Sequence, residues 1–119
     1  MKRLFAIAAL FASTAAGAAS FDCGKAGTFV EKEICTSLVL GRLDEALADN
    51  YRMMLASDIG ADARAQEKAR QKAWLAERNR CRDYACIERA YRRRVDAICE
   101  VPVLGGVHPP CTLSEDVDW

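Results

Sequence analysis

Residues 38–57 read LVLGRLDEALADNYRMMLAS, and Leu40, Leu43, Leu47, Tyr51 and Leu55 recur in it at steps of three and four. Those steps put all five side chains on one face of an α-helix. Ser37 stands where an N-cap belongs, while Gly41 weakens the first turn. Upstream, Thr28-x-x-Glu31 is a capping-box pattern, so a helix is expected from Thr28 with Val30, Ile34 and Leu38 on its inner face. Downstream, Ser57-Asp58-Ile59-Gly60 reads as a turn and Asp62 as the next cap.

The following segment, Ala63 to Arg80, is rich in alanine, arginine, lysine and glutamine, all good helix formers. Its apolar contacts are expected from Ala69, Ala73, Trp74 and Leu75. Cys81 to Cys86 reads as a corner, and Ile87, Tyr91, Val95 and Ile98 mark a last helix. Pro102, Gly105, Gly106, Pro109 and Pro110 then forbid a long helix. The pattern predicts an all-α fold: a small antiparallel helical hairpin or bundle stapled by disulfides, ending in an irregular tail.

The first twenty residues have a different composition. Lys2 and Arg3 precede the apolar run Leu4–Ala12, and small residues fill positions 13–20. This order is that of a secretory signal peptide, with Ala16-Gly17-Ala18 and Ala18-Ala19-Ser20 as cleavage sites. The apolar run falls short of a membrane span. The expected organisation is a signal peptide over 1–20, a helical domain over 21–99 and an acidic Pro/Gly-containing tail over 100–119, with the mature chain periplasmic or secreted and without a membrane anchor.

All six cysteines, Cys23, Cys35, Cys81, Cys86, Cys99 and Cys111, lie beyond that leader. An even number in a short exported chain reads as a disulfide framework. A zinc site lacks a C-x2-C pair and has only His108 to offer. A hairpin of the two long helices would bring Cys35 level with the Cys81–Cys86 corner. That placement predicts Cys23 and Cys35 bonded to Cys81 and Cys86, with two local bridges as the alternative. Cys99 and Cys111 would pin the tail if they pair.

Charge is balanced over the whole chain but uneven along it. From Arg64 to Arg94 there are eleven cations and four acids, and from Val95 onward five acids and no cation. With a near-neutral total, the basic block reads as a solvated helix face rather than a nucleic-acid surface. Catalytic groupings are sparse. His108 is the single histidine and sits in the Pro/Gly tail, Glu31 and Glu33 point to different helix faces, and Gly105-Gly106 lacks the context of a phosphate loop. Cys81-x4-Cys86 is longer than a redox C-x-x-C. Trp74 and Tyr91 fit core packing, or an aromatic anchor among arginines.

In this order the motifs resemble the LprI-type lysozyme-inhibitor domain of bacterial exported proteins. The matching blocks are Phe21-Asp22-Cys23-x-Lys25-Ala26-x-Thr28-x-x-Glu31-x-x-Ile34-Cys35, Leu43-Asp44-x-x-Leu47-x3-Tyr51, Gln71-x-x-Trp74-Leu75-x-x-Arg78-x-x-Cys81 and Cys86-Ile87-x3-Tyr91-x-x-Arg94. The resemblance implies a helical periplasmic domain with two disulfides, and inhibition of lysozyme. Cys99, Cys111 and the acidic tail depart from that pattern.

The reading is therefore a non-enzymatic binding module without cofactor, metal or nucleic acid. Lysozyme is its best-named partner, and another envelope protein or a cell-wall polymer is the alternative. Arg78, Arg82, Arg89 and Arg93 are the candidate partner-binding cations, beside Trp74, and the acidic tail could steer the chain toward a basic partner. Export predicts a mature chain starting within a few residues of Phe21 and no reactive thiols under denaturing conditions. Intact mass and thiol titration on periplasmic extract check both. A cytoplasmic product retaining residues 1–20, or stoichiometric zinc, contradicts the reading.

Overall fold

The computed structural model describes residues 19–117, so the predicted leader lies mostly outside the described residues. Four helices carry the fold: α1 (Phe29–Thr36), α2 (Leu38–Leu55), α3 (Ala61–Asn79) and α4 (Tyr84–Cys99). No strand occurs among the described residues, and none of these helices is long and apolar enough to cross a membrane.

Local chemistry accounts for most of the helix ends. The Thr28 hydroxyl accepts from the Glu31 amide at 3.1 Å, and the Glu31 carboxylate accepts from the Thr28 amide at 3.2 Å, which closes the expected capping box. Ser37 ends α1 and caps α2 through the Leu40 amide, so the two helices meet at one residue. The expected Asp62 cap is corrected. α3 begins at Ala61 after Gly60, whose φ of 85° suits glycine, and Asp62 lies in the first turn with no capping bond.

α4 is the central helix. It packs against α2 on one side and α3 on the other, while α1 packs on α2. Side-chain pairs give the directions. Asp44 meets Tyr91 and Asn50 meets Cys99, so α2 and α4 run parallel. Trp74 meets Ala90 and Glu67 meets Arg94, so α3 runs against α4 and hence against α2. The core is built from Val30 and Ile34 of α1, Leu40, Leu43, Leu47 and Met54 of α2, and Ile87, Tyr91, Val95 and Ile98 of α4, with Trp74 from α3. Leu38, expected on the inner face of the first helix, instead opens α2 and points to solvent.

α3 departs most from the sequence reading. Ala69, Ala73 and Leu75 are exposed, and only Trp74 of the expected contacts is buried. The face turned toward α4 is Glu67, Gln71, Trp74 and Arg78, spaced by four, three and four residues. Its grip is polar. Arg94 donates to Gln71 at 3.0 Å and to Glu67 at 3.1 Å, Trp74 Nε1 donates to the Ala90 carbonyl at 2.9 Å, and Arg78 donates to the Tyr91 hydroxyl at 2.9 Å. Among the described residues every buried side-chain nitrogen and oxygen has a partner.

The cysteines pair in chain order, Cys23–Cys35, Cys81–Cys86 and Cys99–Cys111. This corrects the expected bonds between the first two cysteines and the corner, and the alternative of two local bridges is the one that forms. α1 does approach the corner, since Phe29 and Cys81 line one groove, but each cysteine there already has a nearer partner along the chain. The third bridge fastens the segment after α4. The Asn50 amide donates to the Thr112 carbonyl at 2.8 Å and accepts from the Thr112 amide at 3.0 Å. Asp96 holds Ser114 through its amide and hydroxyl, and Val101 and Val117 enter the core.

Two neighbouring residues of α3 should respond oppositely to truncation. Trp74→Ala removes a buried, hydrogen-bonded indole and should destabilise the fold by about 3–5 kcal/mol. Leu75→Ala should change stability by about 0.5 kcal/mol or less. Thermal melts followed by circular dichroism make the comparison.

Candidate functional site

The corner between α3 and α4 presents unpaired cations on a rigid support. Arg80 caps the end of α3, and the Cys81 amide bonds the Arg78 carbonyl at 3.0 Å. Asp83 then caps α4 by accepting from the Cys86 amide at 2.8 Å. The Cys81–Cys86 bridge closes this turn, with Cys81 itself buried. Phe29, the first residue of α1, stands opposite and is 47% exposed. Phe29, Asn79, Arg80, Cys81 and Arg82 together line an open groove of about 760 Å³.

Electrostatically the groove is cationic. Neither Arg80 nor Arg82 forms a side-chain ion pair or hydrogen bond among the described residues. The same is true of Arg89, which is exposed on α4. Arg93 is exposed too, but it pairs with Glu77 across α3 and α4 at 2.9 Å. A guanidinium with no internal partner and a fixed backbone is suited to a carboxylate or other planar anion.

Two of the expected binding residues belong to the interior. Arg78 is only 7% exposed. Its guanidinium donates to Tyr91 Oη and Asn79 Oδ1, and it lies 5.7 Å from the Trp74 ring and 6.0 Å from the Tyr91 ring. Trp74 is equally buried and packs edge-on against Tyr91, with centroids 4.9 Å apart. The core reading of both aromatics holds, and the exposed-anchor reading does not. The reason lies in their polar partners: the Ala90 carbonyl and the Asp44–Tyr91–Arg78 chain let polar side chains be buried without loss of hydrogen bonds.

Arg80 and Phe29 enter the site without having been expected there. Arg80 is adjacent to Cys81, so its place on the corner could be inferred from the cysteine spacing. Phe29 could not, because nothing local tells that the first residue after the Thr28 cap faces away from the core.

Several other groups singled out in the sequence are committed to structure. Glu31 closes the α1 cap. His108 is exposed, and its ring nitrogens face the carbonyls of Pro109 and Cys99 at 2.8 and 3.1 Å. All six cysteines are in disulfides. Burial first, and the Asp44 carboxylate second, push the Tyr91 phenol far above its ordinary range, so it remains a neutral donor.

Charge reversal separates the groove from the interior. Arg80→Glu and Arg82→Glu should each alter stability by about 0.5 kcal/mol or less, as exposed substitutions do. Arg78→Glu should unfold the domain or destabilise it by about 3 kcal/mol or more, because it puts an acid with no cationic partner into the interior and loses the bond to Tyr91. Urea midpoints for the three variants test this. No family model, curated protein or solved structure matches this chain.

Proposed function

We propose that this chain is an exported, non-enzymatic binding protein that engages an anionic partner through the Arg80–Arg82 corner, and that its target is lysozyme. The observation that carries the reading is the pair of unpaired arginines beside exposed Phe29 on a disulfide-closed turn. Three disulfides suit an oxidising compartment, which supports the export part.

Lysozyme hydrolyses its substrate with two carboxylates in an open cleft. A corner that carries guanidinium groups and an aromatic ring complements such a cleft in charge. The Cys81–Cys86 turn limits the conformational freedom lost on binding, which favours affinity. Arg82 keeps the role expected of it, Arg80 stands in for the buried Arg78, and Arg89 remains a flanking cation. The charge-rich surface after α4 supplies long-range steering, with Glu100, Glu115 and Asp116 exposed on it.

A turbidity assay of lysozyme on cell walls, with the oxidised mature protein added, tests the proposal. Inhibition should weaken as salt rises from about 0.05 to 0.5 M, where exposed charges become screened. Arg82→Glu should weaken it by about tenfold or more while the melting temperature stays fixed. Inhibition that is indifferent to salt and to both groove reversals would refute the corner as the contact. Failure to inhibit any type of lysozyme would refute the target.

A further inference from the structure

Asp44 of α2 is a carboxylate only 5% exposed, yet it forms no ion pair with a lysine or arginine among the described residues. One oxygen accepts from the Tyr91 hydroxyl at 2.7 Å, and the other accepts from the backbone nitrogen of Ser20. Arg78 reaches the group only through the Tyr91 hydroxyl. A buried carboxylate without an adjoining cation is expensive, and a neutral amide offsets only part of that. Ser20 lies at the end of the small-residue stretch where the leader is expected to be removed.

We infer that the mature chain begins at Ser20 and that its new α-ammonium is the missing counter-ion of Asp44. Hydrolysis of the Ala19–Ser20 peptide bond consumes one water and leaves a carboxylate on Ala19 and an ammonium on Ser20. It places small residues, Gly17 and Ala19, at the third and first positions before the cut, as signal cleavage requires. The two cuts offered by the A-x-A patterns differ chemically. A start at Ala19 leaves Ser20 nitrogen a neutral amide, and a start at Phe21 removes it. Only a start at Ser20 turns the existing hydrogen bond into an ion pair. Beside Ser20 a cavity of about 320 Å³, also lined by Glu31 and Arg78, gives the remaining ammonium protons access to water. The unprocessed chain has an amide at the same place, so removal of the leader strengthens the fold.

The inference rests on the export reading and adds a pH signature to it. The charged and titratable groups facing the ammonium are Asp44, Tyr91, Arg78 and Glu31. Tyr91 stays protonated, because its phenol is pushed well above the usual range. Pairing with Asp44 raises the amine above its unfolded value of about 8. Its stabilising contribution is therefore complete below about pH 7 and disappears as pH rises through the folded value.

The experiment has two steps. Intact mass of the protein exported with its own leader reads the first residue, which should be Ser20. The Ser20–Trp119 protein is then compared with its N-acetylated form. At about pH 6.5 the free-amine form should melt several degrees higher, and by about pH 10 the two melts should converge. In Asp44→Asn they should coincide throughout. If that variant fails to fold, an NMR titration of the Ser20 amine decides, with a midpoint above about 8 expected. A mature start at Ala19 or Phe21 overturns the inference, as do identical melts of the free and acetylated forms. Retention of the leader in the cytoplasm instead overturns the export reading itself.

Discussion

The hydroxyl of Tyr91 joins three helices at one atom. It donates to Asp44 of α2 and accepts from Arg78 of α3, while its own ring lies in α4. Each link is short, buried and involves an ionised partner, the kind of hydrogen bond worth about 1.5–3 kcal/mol. The central position of α4 follows from this. α2 docks on it through a mainly aliphatic seam, and α3 docks on it through Glu67, Gln71, Trp74 and Arg78. Without the polar links, α3 has one large apolar side chain and little reason to stay.

The same arrangement explains where the arginines go. The block from Arg64 to Arg94 is not one uniform basic face. Arg78 and Arg94 turn inward and are used in helix packing, Arg92 donates to the Ser114 carbonyl, and Arg93 spans to Glu77. Arg80, Arg82 and Arg89 are left facing outward, near or beyond a disulfide-closed turn. The surface available to a partner is set by what the interior has already taken.

Much of this fold was legible in the sequence. The capping box at Thr28, the Ser37 cap, the α2 stripe and the Ile87–Ile98 stripe all form as local rules require. What escaped was long-range or polar. Apolar periodicity marks Trp74 but passes over Glu67 and Arg78, because a buried, hydrogen-bonded charge has the same composition as a solvated one. The first two bridges were legible only as the alternative, for a related reason: helix direction predicts that Cys35 approaches the corner, but it does not say that Cys23 is closer. Around the corner between α3 and α4, Arg82 and Arg89 could be read from the sequence as exposed, whereas Arg78 could be told apart from them only through its Tyr91 contact.

The order of the bridges bears on how the chain matures. First pairs with second, third with fourth and fifth with sixth, across separations of 12, 5 and 12 residues. If the chain is exported from its N-terminus, as proposed, its thiols emerge in that same order, and each meets its partner before the next pair has emerged. Oxidation would then be vectorial, and a thiol oxidase would suffice with no isomerase to reshuffle mispaired intermediates.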